Sequence, residues 1–164
     1  MSYVYIGLGS NLGDREENLR LAVSKIENTF RIIKKSFIYE TKPFQVNDFQ
    51  PNYYNQVLKV HSGSYNPYEF LDKLMLFEKE LGRIRVRTNE SRIIDLDLLI
   101  YGDKILKSKK LVIPHPRIHE RAFVVFPLLD IDEKLVHPVT KVSFMDISLK
   151  LGKSDIKKVI IGSS

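Results

Sequence analysis

Cysteine and tryptophan are both missing from this sequence of 164 residues. Without cysteine, neither a disulfide framework nor a thiolate metal site is possible. Long hydrophobic runs are missing too: the longest, around residues 122–129, has eight residues and contains Pro127, so it is far too short to cross a bilayer. The start, MSYVYIGLGS, has no basic segment before its apolar stretch and does not resemble a signal peptide. We therefore expect a cytoplasmic protein.

Low-complexity tracts, internal repeats and linkers are also lacking. The composition, 43% hydrophobic and 28% charged, is typical of a soluble globular protein. The length suits one domain with a sizeable core. We expect residues 1–164 to form a single domain.

The charge is positive and unevenly distributed. The formal net charge of +6 suits an anionic partner, but it does not distinguish nucleic acid, a membrane or a small phosphate. Four arginines lie close together, at Arg83, Arg85, Arg87 and Arg92. Because the planar guanidinium matches phosphate oxygens, this cluster is the informative part of the charge.

The order of predicted elements is β-α-β-β-α-β. Strands are predicted at 3–9, 32–41, 53–61 and 93–101, and helices at about 15–30 and 67–81. Asp14 with Glu17 fits a capping box, and Asn66 followed by Pro67 fits the start of the second helix. This order is the split βαβ arrangement of ferredoxin-like domains, an α+β fold with a mainly antiparallel sheet and both helices on one face.

The remaining chain predicts a third layer. A hairpin is expected at 104–114, short helices near 118–123 and 144–151, and a closing strand at 157–161. These elements could cover the second face of the sheet, which would give a three-layer α/β/α domain.

The segment IIDLDLLIY, residues 93–101, places two acidic side chains in a strand otherwise suited to burial. At a period of two, Asp95 and Asp97 share one face, and the other face is uniformly apolar: Ile94, Leu96, Leu98 and Ile100. The carboxylates would lie roughly 6.5 Å apart and repel by about 2.5 kcal/mol at an effective dielectric near 20. A divalent cation shared by the two carboxylates would compensate for this repulsion, and their hard oxygen ligands suit Mg²⁺. The alternative is that both side chains point to solvent.

Other motifs are weaker. GLGSNLG at 7–13 follows a strand, but a dinucleotide fingerprint would need glycine where Leu12 stands, so we expect the glycines to allow a tight strand exit. His115 lies between two prolines, where either a rigid surface connection or a functional role is possible. The aromatic residues of PFQVNDFQPNYYNQV, residues 43–57, could pack as a satellite core or stack on a flat ring whose edge Asn55 hydrogen bonds.

Five segments stand in order over roughly residues 3–138: GSNLGDREENL, YETKPF followed by QPNYYNQV, FEKELGRIR, SRIIDLDLLIYGD and LVIPHPRIHERAFVVFPLLDI. Taken together, they resemble the 6-hydroxymethyl-7,8-dihydropterin pyrophosphokinase (HPPK) family of folate synthesis.

The resemblance implies an enzyme that transfers the terminal two phosphates of ATP to the hydroxymethyl group of the pterin and releases AMP. It implies two Mg²⁺ ions held by Asp95 and Asp97 against the triphosphate. The partners are then the small molecules ATP and 6-hydroxymethyl-7,8-dihydropterin, without nucleic acid, membrane or an obligate protein partner.

The resemblance also assigns site residues by position. Catalysis would involve Asp95, Asp97, Arg83, Arg85 and Arg92. Contacts to ATP are implied for Glu78, Arg85, Lys110, His115 and Arg121. The pterin pocket is implied at Thr41, Pro43, Phe44, Tyr53, Asn55 and Phe123.

One segment departs from the family. Many members have RWGPR before the aspartate strand, where this chain has TNESR at 88–92, so Asn89 replaces the tryptophan that covers the pterin. Arg92 keeps the final arginine, and Arg87 can substitute for the one lost at Thr88. We predict a mobile segment at about 83–91 that closes when ATP binds.

Two other functions fit parts of the pattern. An RNA-binding module suits a basic ferredoxin-like sheet, but the K/R-G-F/Y-G/A-F-V pattern is missing. A two-metal nucleotidyltransferase shares the D-x-D chemistry; it would attack the α-phosphorus and release pyrophosphate instead of AMP.

Overall fold

The sheet and its helices are seen in a computed structural model that describes residues 2–42, 51–82, 93–152 and 156–159. The elements in these ranges are β1 Tyr3–Ser10, α1 Arg15–Glu27, β2 Ile32–Lys35, β3 Ile38–Thr41, β4 Tyr53–His61, α2 Pro67–Glu80, β5 Asp95–Tyr101, β6 Leu106–Lys107, β7 Val112–Ile113, a 3₁₀ turn Ile118–Glu120, α3 Ala122–Ile131, α4 Phe144–Leu151 and β8 Ile156–Val159.

The main sheet has the order β5-β1-β4-β3-β8, with β2 also paired to β4, and each of these pairs is antiparallel. The two short strands β6 and β7 form the expected hairpin. Helices α1 and α2 pack on one face of the sheet, and α3 and α4 belong to a second core on the other. The predicted three-layer α/β/α domain with a ferredoxin-like core is confirmed.

The first helices begin where the sequence predicts. The Asp14 carboxylate accepts a hydrogen bond from the Glu17 backbone, and α1 ends at Glu27, earlier than predicted. Asn66 and Glu69 form a complete capping box at the start of α2. The two helix starts therefore depend on local hydrogen bonds that are readable from the sequence.

The predicted single strand at 32–41 is wrong, because it is broken at Ser36 into β2 and β3. The Ser36 hydroxyl accepts a hydrogen bond from the Val57 backbone N–H at 2.9 Å, and the Gln56 side chain donates to the Ser36 carbonyl at 3.0 Å. The Ser36 hydroxyl therefore accepts a hydrogen bond that a backbone carbonyl would accept in a regular ladder.

The face assignment within β5 is right at its start and wrong at its end. Leu98 pairs with Ile6 and Ile100 pairs with Tyr5, so Leu99 is an extra residue in a β-bulge. After the bulge the faces exchange: Ile100 packs in the core under α3, and Tyr101 packs in the core under α1 and α2. The prediction had these two residues on the opposite faces.

The short helix predicted near 118–123 is also wrong in extent. A 3₁₀ turn at Ile118–Glu120 is followed by the longer helix α3, which contains Pro127. Proline removes one backbone hydrogen bond from a helix interior. Burial of Val125 and Leu128, both fully shielded from solvent, offsets that loss. None of the helices in the described ranges is long and apolar enough to span a membrane.

Two tyrosines fasten the carboxyl end of α3 to the sheet. The Tyr39 hydroxyl donates to Asp130 at 2.8 Å, and the Tyr5 hydroxyl donates to Asp132 at 2.9 Å. Burial, and then the neighbouring carboxylate, raise the pKa of each phenol above its usual range, so both remain donors. These bonds join residues far apart in the chain and fix the helix over the sheet.

Tyr39→Phe should lower the free energy of unfolding by about 1–2 kcal/mol, because a hydrogen bond to a charged group is lost while the ring is kept. Urea unfolding measures this. Tyr3→Phe is the matched control, since Tyr3 is half exposed. An equal effect of the two substitutions would contradict the role given to the Tyr39 hydroxyl.

Candidate active site

A cleft of about 440 Å³ opens on the face of the sheet that carries α3. Its walls are the ends of β3, β4, β1 and β5 on one side and the residues that lead into α3 on the other. The lining residues are Gly7, Leu8, Gly9, Thr41, Lys42, Tyr53, Asn55, Gln56, Asp95, Asp97, Arg117, Glu120, Arg121, Ala122, Phe123 and Val124.

The floor of the cleft is made by two glycines of β1. Gly9 lies directly opposite Asp95 in the neighbouring strand, and Gly7 lies opposite Asp97. A Cβ on Gly9 would come within 3.2 Å of the Asn55 side-chain oxygen. A glycine inside a strand often marks a close approach by a ligand. The expectation that the glycines of residues 7–13 serve a strand exit is wrong for Gly7 and Gly9, which lie within β1, and right for Gly13, which follows β1 with a φ of 66°.

Asp95 and Asp97 line the cleft side by side, as the strand period predicts. Asp95 is half-buried and Asp97 is exposed. In the ranges that the structure describes, no cluster of three or more His, Asp, Glu or Cys side chains could hold a metal. Within the described ranges the cleft therefore offers two hard carboxylate ligands, Asp95 and Asp97. This donor set fits Mg²⁺, which keeps several waters and is bound through one or two carboxylates plus substrate phosphates.

The other end of the cleft holds a buried polar pair. Asn55 and Thr41 are both at least nine-tenths buried, and the Asn55 amide N–H donates to the Thr41 hydroxyl at 2.8 Å. This bond fixes the amide, so its oxygen is the acceptor that remains. Tyr53 lies opposite Thr41 in the ladder and also lines the cleft.

The start of α3 brings a cation and an aromatic ring to the same cleft. Phe123 and Arg121 both line it, and the Arg121 guanidinium carbon lies 5.6 Å from the centre of the Phe123 ring. The amino end of a helix carries a partial positive charge, which adds to that of Arg121. An anion is favoured on this side.

Sequence reasoning missed two charged residues of the cleft wall. Arg117 and Glu120 both line the cleft and form an ion pair of 3.0 Å. Their spacing of three residues was available as a signal, but the 3₁₀ turn that aims them at the cleft was not predicted.

His115 lies beside this wall and does not line the cleft. Its backbone N–H donates to the Leu99 carbonyl at 2.8 Å, and its Nδ1 accepts from the Arg117 backbone N–H. Burial, followed by the positive charges of Arg121 and Arg117, lowers the pKa of His115 to about 4. The ring is therefore neutral at pH 7, with its proton on Nε2 as a donor.

Two predicted ATP contacts lie elsewhere. Glu78 is buried on α2, where its carboxylate accepts a hydrogen bond from the Leu96 N–H at 3.0 Å, at the start of β5. Lys110, in the β6–β7 hairpin, pairs with Asp72 of α2 at 2.9 Å. Neither residue lines the cleft.

The remaining predictions fall outside the described residues. They are Arg83, Arg85, Arg92, Pro43, Phe44, the substitution at Asn89 and the closing segment at 83–91.

Comparison with known proteins identifies the family. A family model described as 7,8-dihydro-6-hydroxymethylpterin-pyrophosphokinase (HPPK) matches residues 5–133. The chain belongs to the HPPK family. It is 41% identical to the 2-amino-4-hydroxy-6-hydroxymethyldihydropteridine pyrophosphokinase of Aquifex aeolicus, over 85% of this chain and 86% of that protein. It is 40% identical to the protein of the same name from Haemophilus influenzae, over 87% of this chain and 89% of that one.

Some HPPK relatives are much longer. The folic acid synthesis protein fol1 of Pneumocystis carinii is 48% identical over 96% of this chain, but the chain spans only 21% of that protein. Among solved structures, an HPPK-DHPS in complex with substrates aligns with a TM-score of 0.79 at 13% identity, over 98% of this chain and 49% of that chain. A Plasmodium falciparum HPPK-DHPS aligns with a TM-score of 0.78 at 16% identity, over 98% and 48%. These two likenesses show the HPPK fold.

Gly9→Ala should weaken binding of a ligand in the cleft, because the new Cβ would press on the Asn55 oxygen at 3.2 Å and displace it. Because the family resemblance predicts that Asn55 binds the pterin, we expect an increase of about tenfold in the KM for the pterin. Steady-state kinetics measures this, and a thermal melt of the variant controls for a general loss of stability. An unchanged KM would contradict the role of Gly9 as the floor.

His115→Gln should make stability less sensitive to acid. The unfolded chain protonates this histidine near its ordinary pKa of about 6.5, whereas the folded chain does so only near pH 4. Its contribution to stability is therefore present above about pH 6.5 and is lost as the pH falls toward 4. Urea unfolding at pH 7 and pH 5 should show a smaller difference in the variant. An equal difference in both proteins would contradict the lowered pKa.

Proposed function

We propose that this cleft binds ATP with two Mg²⁺ ions on Asp95 and Asp97 and transfers the terminal two phosphates to 6-hydroxymethyl-7,8-dihydropterin. The reaction releases AMP and serves folate synthesis. The observation that supports this most is the arrangement of one cleft: two carboxylates over a glycine floor at one end, and an amide–hydroxyl pair between aromatic residues at the other.

The pterin end is formed by β3, β4 and the start of α3. The Asn55 oxygen accepts from an N–H at the edge of the pterin, because the bond from one of its two amide N–H groups to Thr41 fixes which way the amide faces. Thr41 then has its own hydroxyl proton to donate. Tyr53 and Phe123, on opposite walls, contact the flat faces of the ring system. A ring with polar edges and apolar faces matches these side chains.

The phosphate end is formed by β5 and the residues before α3. Arg121 and the amino end of α3 neutralise charge on the triphosphate. The family position His115, which lies beside this wall, adds a neutral donor for ATP at Nε2. The family positions Arg83, Arg85 and Arg92 add further guanidinium groups. Bound magnesium supplies charge neutralisation and polarisation of the phosphoryl oxygens.

The chemistry is a displacement at the β-phosphorus of ATP. The hydroxymethyl oxygen forms a bond to the β-phosphorus. The bond between the β-phosphorus and the oxygen that it shares with the α-phosphorus breaks. AMP leaves with that oxygen, and the hydroxyl proton is released. Because phosphoryl transfer depends chiefly on positioning and charge neutralisation, the chain needs to align the two substrates more than to supply a strong base.

The same proposal includes the setting of the reaction. We propose that residues 1–164 act as one catalytic domain, in the cytoplasm and without an obligate protein partner.

The deciding experiment is incubation with ATP, Mg²⁺ and the hydroxymethyl dihydropterin, followed by nucleotide analysis. We expect AMP in equal amount to the pterin diphosphate. Release of pyrophosphate would instead favour a nucleotidyltransferase, and no turnover would contradict both.

Asp95→Asn and Asp97→Asn should each lower kcat by about 100-fold or more, equivalent to about 2.7 kcal/mol of transition-state stabilisation, because a metal ligand is weakened. Folding should stay near normal, since removal of one charge relieves repulsion within the pair. Asp103→Asn, at an exposed position just after β5, is the matched control. A wild-type rate in either site variant would overturn the metal assignment.

A further inference from the structure

Arg15, the first residue of α1, makes contacts with two strand ends at once. Its Nη1 lies 3.2 Å from the Glu40 carboxylate on β3 and donates to the Asn52 carbonyl, just before β4, at 2.8 Å. Its guanidinium carbon lies 4.0 Å from the centre of the Tyr54 ring. The side chain is mostly shielded, with 26% of its surface exposed.

These contacts are on the face of the sheet opposite the cleft. Tyr54 packs against the core under α1 and α2, and its ladder partner is Glu40. Alternation along each strand then turns the next pair, Thr41 and Tyr53, to the other face, where both line the cleft. Each group that Arg15 contacts is adjacent in sequence to one of these two residues.

Arg15 contacts the sheet where β3 and β4 meet at their ends, and strand ends are ordinarily the least stable part of a sheet. Thr41 and Tyr53 form the last pair of the β3–β4 ladder, and β3 has only four residues. Strand ends open more easily than strand centres. A planar guanidinium that binds a carboxylate and a carbonyl while stacking on a ring restrains both strands through one side chain.

We infer that Arg15 is a positioning residue for the pterin end of the cleft. It touches no substrate. By joining Glu40, Asn52 and Tyr54, it fixes the positions of Thr41 and Tyr53 relative to Asn55. These three residues of the cleft align the edge and the face of the pterin ring. The consequence for catalysis rests on the proposed function; the restraint of the strand ends does not.

The kinetic test compares Arg15→Met, which keeps an unbranched stem without the guanidinium charge or its donors, with Arg20→Met on the same helix. Arg20 is exposed and pairs only with Glu17 in the described contacts. We expect Arg15→Met to raise the KM for the pterin about tenfold, while the KM for ATP and kcat stay within about twofold. Arg20→Met should change none of these.

Arg15→Lys separates charge from shape. A lysine can keep the ion pair with Glu40, but it lacks the planar fork that reaches Asn52 and stacks on Tyr54. An intermediate KM for the pterin is expected. If Arg15→Met does not fold, Arg15→Lys and Glu40→Gln carry the test, and both should raise the KM for the pterin more than the KM for ATP.

Amide hydrogen exchange tests the restraint without any turnover. Arg15→Met should speed exchange at residues 39–41 and 53–55 and leave residues 57–60 of β4 unchanged. Faster exchange over all of β4, or an equal rise in both KM values, would reduce Arg15 to a general structural role and overturn the inference. Unchanged exchange with unchanged KM would overturn it as well. An inactive wild-type protein would refute the proposed function, and the exchange result would still decide the role of Arg15.

Discussion

Two negative charges on one face of an edge strand decide what the cleft can bind. Asp95 and Asp97 are one strand repeat apart, so both carboxylates enter the same cleft. At the strand repeat of roughly 6.5 Å the two carboxylates would repel each other by about 2.5 kcal/mol at an effective dielectric near 20, and a bound cation would offset that repulsion. The glycines opposite them matter as much, because a Cβ at Gly7 would press on the Leu99 side chain at 3.3 Å and one at Gly9 on the Asn55 oxygen at 3.2 Å.

The rest of the structure places a second wall over these charges. The bulge at Leu99 turns both Leu99 and Ile100 into the core under α3, which anchors the helix on apolar contacts. Tyr5 and Tyr39 hold its far end. With its carboxyl end fixed, the helix presents Arg121 and Phe123 across the cleft from the sheet. The two ends of the cleft therefore come from different parts of the chain, and the same sheet and helix support both.

Local signals in the sequence predicted much of this frame. The helix starts at Asp14 and Asn66 depend on hydrogen bonds within three residues, and the shared face of Asp95 and Asp97 follows from strand period alone. The break at Ser36 and the bulge at Leu99 could not be predicted in this way, because each depends on a partner strand distant in sequence. The extent of α3 was missed because Pro127 argues against a helix locally, whereas burial on the sheet favours one.

The site was predictable in part. Residue chemistry indicated the aspartate pair and the Asn55 region, and the family resemblance supplied roles for Arg121 and Phe123, which the structure brings to the same cleft. Arg117 and Glu120 depend on a turn whose direction is set by tertiary contacts. The role of Arg15 could not be predicted, because the three groups that it contacts meet only when α1 lies across the ends of β3 and β4.

The central claim is that the aspartate pair holds the metal that binds the nucleotide. A crystal grown with Mn²⁺, the hydroxymethyl dihydropterin and an ATP analogue that has a methylene bridge between the α- and β-phosphorus tests it most directly. The account predicts anomalous density for two metal ions, with oxygens of Asp95 and Asp97 within about 2.2 Å of them and the triphosphate bound to the same ions. Metal and triphosphate bound together away from both carboxylates would contradict it.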